Sequence, residues 1–465
     1  MSQRPRILFL NPPGKKIYIR DYYCSKVSKA YYLPQPVDLL VQTSFFDEEE
    51  YELKVLDAIA EQKSEADSLY EIAAFAPELV IAQIGSVSYD EDVAFFAEVK
   101  ARVPGVKILC SGDLLLEDPQ MFLDKLAWLD GVVTDFFKPA ALQYWQNPKA
   151  EIDGLISKVQ ETEPVAHPRT KRTTLNVPKH HLFNNKRYRM PFMSNTPMAT
   201  VLTNYACPYP CTFCIMSHLE FKSRSVEDTI AELKHLKSLG IKFIYFSDQT
   251  FYTVPKITDP ILDFMIEEDL GIEWMCFSRV DVTTKERLEK MKKAGCKVIM
   301  YGVEWAEERY LQQYKKQYSL EQIREAFALS KEMGIKRVGT FLMGVPGQSR
   351  ESIMNTVAFA KEIDADYASF NVAVPRAQTS FRDEAIDQGL IEEDDRVMDQ
   401  SGSFIAMGTG ELTAKEVMQL KKTAYRQFYF RPSYLWKRAR GLGNVQELKN
   451  HLTEGWYILK SLVAR

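Results

Sequence analysis

The sequence predicts an α/β protein with a doubly wound N-terminal domain, an open (β/α)6 partial TIM barrel and a helical C-terminal region. Three observations lead there. Short apolar runs alternate with amphipathic helical stretches between residues 6 and 133, the pattern of a parallel sheet with helices on both faces. After a break the alternation resumes at Met198 for six strand and helix repeats, two short of a closed eight-stranded barrel. The length of 465 residues is more than one hydrophobic core usually serves, so two or three domains are expected. The boundaries read as 1–140 for the first domain, 141–195 for a linker, 196–390 for the barrel and 391–465 for the helical cap.

Residues 4–10 read as a buried strand, because the apolar run Ile7-Leu8-Phe9-Leu10 is short and ends in the breakers Asn11-Pro12-Pro13-Gly14. A helical pattern follows through Leu39, Leu40 and Phe45, then a strand near Tyr51–Leu56, a helix over 66–75, a strand over 79–84, a helix over 91–102 and a strand over 106–110. In doubly wound sheets ligands sit outside the carboxyl ends of the strands at the switch point. The loops Gly85-Ser86-Val87-Ser88 and Ser111-Gly112-Asp113 are therefore the ones to inspect.

From 140 to 190 the composition changes. Four prolines, little apolar periodicity and the basic run Arg169-Thr170-Lys171-Arg172 read as a linker with a solvated charged face. His180-His181 looks like an ordinary loop pair with no third ligand nearby in sequence. In the barrel, strands are expected at Ala199–Thr203, Phe243–Phe246, Glu273–Ser278, Val298–Tyr301, Arg337–Leu342 and Ala368–Val372, with a helix over 226–239 ended by Gly240. The tail from Ala414 is helical and rich in Tyr, Phe and Trp.

Net charge is −4 and 46% of residues are hydrophobic, an ordinary globular composition that gives no electrostatic reason for a nucleic-acid partner. No secretory signal is visible, and no stretch reaches the ~18 uninterrupted apolar residues of a membrane helix. Cys24, Cys110, Cys276 and Cys296 are scattered without a pairing pattern, which fits a reducing cytoplasm.

The other three cysteines are concentrated in Cys207-Pro-Tyr-Pro-Cys211-Thr-Phe-Cys214, a proline- and aromatic-containing loop after the first barrel strand. Three thiolates at this spacing can converge on a polynuclear iron site, leaving one iron open; a tetrahedral zinc site would want a fourth ligand, for which His218 is the nearest candidate. The spacing, with an aromatic before the third cysteine, resembles the signature of the radical S-adenosylmethionine (SAM) superfamily. That resemblance implies a [4Fe–4S] cluster on Cys207, Cys211 and Cys214, SAM chelated to the fourth iron, and one-electron cleavage of SAM to a 5′-deoxyadenosyl radical. Thr203-Asn204-Tyr205-Ala206 stands where relatives commonly read Thr-x-Arg-Gly.

The barrel's strand ends then name the SAM candidates. Ser247 and Asp248 match the segment that touches the SAM amino group, Gly302-Val303-Glu304 resembles a Gly-Ile-Glu variant near the methionyl end, Arg279 is a partner for the SAM carboxylate or a substrate anion, and Phe213 is a ring near adenine. Taken singly, Asp248 or Glu304 reads equally well as a helix cap, and Gly344-Val345-Pro346-Gly347 as a plain turn.

The N-terminal pattern, with Ser111-Gly112 and Leu129-Asp130-Gly131-Val132-Val133, resembles the cobalamin-binding domain of one radical SAM subfamily, as does Phe428-Tyr429-Phe430-Arg431-Pro432 near the end. The resemblance places a corrin near Ser86 and Gly112. It departs from the pattern in lacking Asp-x-His-x-x-Gly, in reading Ser111-Gly112 for Gly-Gly, and in carrying Phe136-Phe137 at one expected pocket wall; a Rossmann-like domain without corrin is the alternative. The expected activity is functionalisation of an unactivated C–H bond by cobalamin-dependent methyl transfer on a small-molecule or lipid substrate, with a flavodoxin or ferredoxin as reductant. Radical cyclisation or rearrangement is the second reading, and a non-catalytic iron–sulfur protein the third.

Overall fold

The computed structural model describes residues 4–28, 32–159, 172–173, 175–191, 193, 195–395, 407–440 and 455. The chain forms two compact units: one contains residues up to 189, except 29–32, together with 227–240, and the other contains the rest.

The first unit holds a six-stranded sheet. Its strands are β1 (Arg6–Asn11), β2 (Glu52–Asp57), β3 (Leu79–Gln83), β4 (Lys107–Ser111), β5 (Gly131–Val133) and β6 (Leu155–Ser157), in the spatial order β2-β1-β3-β4-β5-β6. All pairs are parallel except β5 with β6. Strand alternation sends Leu8, Leu10, Val80, Ala82, Ile108 and Cys110 to one buried face, and Ile7, Phe9, Leu79, Ile81 and Leu109 to the other. Both faces being covered explains why these strands read as unbroken apolar runs. The chain reverses direction across the sheet at β1, and a two-strand hairpin, Tyr18–Ile19 with Lys26–Val27, follows that strand.

The linker expected over 141–195 is corrected in part. Ala140–Gln146 is a helix and β6 is an antiparallel edge strand, so this stretch completes the first unit's sheet. It was unreadable because β6 is three residues long and follows Gly154. Residues 175–189 also pack there: the fully buried His180 pairs with Glu232 of the helix Val226–Ser238 through Nε2 and Oε1 at 2.7 Å. The histidine pair does gain a neighbour from far downstream, with the His235 ring centroid 6.5 Å from that of His180 and 6.0 Å from that of His181. Of the basic run, Arg169 to Lys171 lie outside the described residues, as does the tail beyond 440 apart from 455.

In the second unit six parallel strands lie in chain order, β7 (Met198–Val201), β8 (Phe243–Phe246), β9 (Glu273–Ser278), β10 (Cys296–Glu304), β11 (Lys336–Met343) and β12 (Tyr367–Val372). The helices Lys285–Lys293, Leu320–Glu332 and Arg350–Glu362 start at side-chain caps: Thr284, Ser319 and Ser349 each accept from a backbone N–H of the first turn. An open sheet leaves the backbone of β12 unpaired on its outer side. The helix Ala414–Tyr429 and the residues after it cover that edge with phenols. Tyr429 Oη accepts from Ala368 N–H at 3.1 Å and donates to Ala368 O at 2.8 Å, Tyr425 donates to Phe370 O and Tyr434 to Asp366 O. The Phe-Tyr-Phe-Arg-Pro motif thus closes a sheet edge, with Phe428 wholly buried beneath it.

Candidate functional site

The cysteine loop begins where β7 ends and is curled by its own backbone. Cys214 N–H donates to Cys211 O, Cys207 N–H to Met216 O, and the Ser217 hydroxyl donates to the carbonyls of Cys211 and Cys214 at 2.8 and 2.7 Å. Cys211 is buried and Cys207 and Cys214 are half-buried; none of the three is in a disulfide. Cys207 Sγ lies 3.8 Å from Thr250 Oγ1. Among the described residues no three His, Cys, Asp or Glu side chains are already drawn together around a single metal ion. The donor set, three thiols on one preshaped loop, fits a polynuclear cluster with one open iron.

Asp248 is where the structure departs most from expectation. Its carboxylate is fully buried and accepts four hydrogen bonds: at Oδ1 from Thr203 N–H (2.7 Å) and Asn204 N–H (3.2 Å), at Oδ2 from the Thr203 hydroxyl (2.5 Å) and Asn204 Nδ2 (3.1 Å). Burial pushes its pKa up to about 6 against those bonds. A carboxylate so occupied has no face left for a ligand ammonium; it fastens the exit of β7, three residues before Cys207. Ser247 is half-buried and its N–H donates to Val201 O.

Arg279 is also committed within the protein. It is 4% exposed, grips Asp281 with Nε (2.9 Å) and Nη2 (2.8 Å), donates from Nη2 to Lys316 O (2.6 Å), and points Nη1 at Cys211 Sγ at 3.6 Å. Its guanidinium stacks on Tyr209 with the carbon 3.8 Å from the ring centroid. Arg279, the residue expected to pair with a SAM carboxylate, thus touches one of the three loop cysteines. Glu304, at φ +65° where the register of β10 shifts, pairs with Lys316 Nζ at 3.1 Å. Burial alone would lower the Lys316 ammonium, but Tyr318, Glu304 and the Cys211 sulfur outweigh it and raise it. Tyr318 donates to Gly302 O. Phe213 packs edge-on against Trp305 and Tyr314, with Lys316 Nζ 5.7 Å from its centroid. Lys316, Tyr318, Tyr314 and Ser217 had no sequence signal; the first three lie about a hundred residues from the cysteines in a stretch without periodicity.

In the first unit the strand ends are likewise tied up. Ser86 N–H and Oγ both donate to Asp113, which also accepts from Ser25 N–H. Gly112, at φ +148°, would place a Cβ 1.9 Å from Ile84 O, so a glycine stands here because two loops touch. Arg20 bridges the switch point, donating to Asn11 Oδ1, Pro12 O and Pro13 O and pairing with Asp92 at 2.6 Å, while Asp92 accepts Gly85 N–H. Ser86 and Gly112, the two positions expected beside a corrin, are thus each engaged by a neighbouring loop. Phe136, expected at the pocket wall, packs on Tyr22 with centroids 5.0 Å apart.

A Rossmann-like, mostly parallel sheet and a six-stranded parallel sheet, with three cysteines in the loop leaving the latter's first strand, match the architecture expected of a radical SAM enzyme. Residues 201–360 match the family model of the Radical SAM superfamily. Over 414 residues it is 28% identical to an uncharacterized methyltransferase of Pyrococcus horikoshii, covering 84% of this chain and 86% of that protein. The radical SAM methyltransferase TsrM of Kitasatospora setae, solved with cobalamin and a [4Fe–4S] cluster, superposes with a TM-score of 0.64 at 17% identity, over 83% of this chain and 75% of that one. The cobalamin-dependent SAM radical enzyme OxsB, solved with aqua-cobalamin and SAM, gives 0.67 at 15% identity over 99% and 71%. At such identities the two structures speak for the fold. No helix among the described residues is long and apolar enough to cross a membrane.

Proposed function

We propose that the protein is a radical SAM methyltransferase in which Cys207, Cys211 and Cys214 hold a [4Fe–4S] cluster, SAM lies beside it at the carboxyl ends of β7 to β12, and cobalamin carries the methyl group. The observation that carries this is the cysteine loop: three cysteines outside any disulfide on a backbone already curled by Ser217, at the exit of a strand fastened by Asp248. When bound, the cluster supplies the single electron for SAM cleavage, as across the superfamily. The chain's own part is to orient and to exclude water. Ser217 and Asp248 hold the loop's shape, Trp305, Tyr314 and Phe213 wall its far side, and Glu304 with Lys316 fixes the end of β10. Methyl transfer is supported by the Pyrococcus relative's name and by the fold shared with TsrM. Cobalamin as methyl carrier is supported by that shared fold. A small-molecule or lipid substrate and a flavodoxin- or ferredoxin-type reductant complete the reading.

Anaerobic reconstitution is the test. About four irons per chain, a spectrum that changes on adding SAM, and loss of both in Cys211→Ala are expected; stoichiometric zinc in place of iron overturns the reading. S-adenosylhomocysteine beside 5′-deoxyadenosine identifies methyl transfer, whereas 5′-deoxyadenosine alone identifies cyclisation or rearrangement. Corrin absorbance retained after purification with hydroxocobalamin and desalting tests the methyl carrier.

A further inference from the structure

Arg279 has five N–H groups, all in a fixed plane. Three are spent on Asp281 and on the carbonyl of Lys316, and the ring of Tyr209 covers one face at 3.8 Å. That grip leaves the guanidinium little freedom. Nη1 is held 3.6 Å from Cys211 Sγ, in a place that is 4% exposed. A second buried cation, Lys316, has its own carboxylate, Glu304, and its field also reaches the Cys211 sulfur. An N–H donor fixed on a cysteine sulfur in a low-dielectric site stabilises added negative charge there, and hydrogen bonds to ligand sulfurs are a recognised lever on cluster potential.

From this geometry we infer that Arg279 is a positioning residue of the cluster, donating a hydrogen bond to the Cys211 thiolate and raising the cluster's reduction potential, with Asp281 restraining the effect by partly neutralising the guanidinium. The inference rests on the cysteine loop holding a cluster, as proposed above. It assigns Arg279 a duty other than clasping the SAM carboxylate. Because Asp281 and Lys316 O fix the fork, the alignment of Nη1 needs arginine: a lysine supplies charge but cannot make the two-point contact with Asp281 and reach the sulfur together.

Two substitutions at and beside Arg279 make opposite predictions. In the full-length reconstituted protein, without SAM, the cluster midpoint is measured by potentiometric titration followed by electron paramagnetic resonance, with iron content determined on the same samples. Arg279→Gln is expected to move the midpoint to more negative potential and Arg279→Lys to move it part of the way. Asp281→Asn, which keeps the arginine but removes its counter-charge, is expected to move it to less negative potential. A purely structural role for the pair predicts lost iron in both variants and no opposed shift. If Arg279→Gln fails to take up iron, Asp281→Asn still decides: a midpoint equal to that of the parent, or a more negative one, overturns the inference. An unchanged midpoint in Arg279→Gln together with weakened SAM binding overturns it in favour of a carboxylate clasp. Failure of the parent protein to form any cluster would instead count against the proposed function.

Discussion

Replacing Asp248 tests whether the exit of β7 is held by this carboxylate. In Asp248→Ala the backbone N–H groups of Thr203 and Asn204 lose their acceptor in a fully buried place. Each orphaned amide costs about 1–3 kcal/mol, so the loss comes to roughly 2–6 kcal/mol, a large share of the ~5–15 kcal/mol typical of a folded protein. Asp248→Asn behaves differently. Its Oδ1 keeps both backbone donors, and its new amide group meets Asn204, whose own Oδ1 is buried without a partner. Turning the Asn204 amide over pairs its oxygen with that amide group but gives up the Asn204 Nδ2 bond to Thr250 O, so the expected loss is about 1–2 kcal/mol, smaller than for alanine. The two variants also separate in their pH dependence. With the folded pKa raised from 3.8 to about 6, the folded state binds the proton more tightly than the unfolded chain. The stabilisation is then complete below about pH 4 and falls as pH rises to about 6, by about 3 kcal/mol at about 1.4 kcal/mol per pH unit. Asparagine removes that slope. Urea midpoints for the parent and both variants between pH 4 and 8, with iron uptake at pH 7.5, provide the assay. Equal stability of the alanine and asparagine variants at pH 7.5 would refute the reasoning.

In the first unit, Arg20→Met strands the buried Asp92 charge and is expected to destabilise by about 3–5 kcal/mol in urea unfolding; adding Asp92→Asn should return part of that loss, and a single variant as stable as the parent would count against the pair. Gly112→Ala drives a methyl group into Ile84 O and is expected to cost about 3 kcal/mol or more, seen as a lowered melting temperature or insoluble expression. Tyr429→Phe removes both bonds to the backbone of Ala368, for an expected loss of about 1–3 kcal/mol; the freed edge of β12 should also show as concentration-dependent association in light scattering.

Long apolar runs bounded by breakers were readable to the residue: β8 at Phe243–Phe246 and β9 at Glu273–Ser278 were expected with those limits. β10 runs from Cys296 to Glu304, longer than the four residues expected, because Gly302 breaks the apolar run without ending the strand. The hairpin at Tyr18–Ile19 and Lys26–Val27 is too short to carry a period. In the site, the cysteines declare themselves because their spacing is local. An acidic strand end is also visible in sequence, but the direction in which Asp248 spends its oxygens depends on Thr203 and Asn204 some 45 residues earlier. Lys316 and Tyr318 enter only because the chain after β10 returns to the cysteine loop, a long-range event with no signature in composition.

The helix Val226–Ser238 leaves a consequence for anyone dividing the protein. It follows the cysteine loop in sequence, yet residues 227–240 count with the first unit, where Glu232 answers the wholly buried His180 and Asp228 accepts the N–H of Leu175. Neither unit is therefore a continuous piece of chain. Cutting near residue 190 to express the N-terminal sheet by itself would leave a buried imidazole facing an empty berth, and grafting the barrel onto another scaffold would carry along a helix whose natural seat had been left behind. The gene for this enzyme is stitched rather than strung, and a chimera of it would need its seams placed on both sides of that helix.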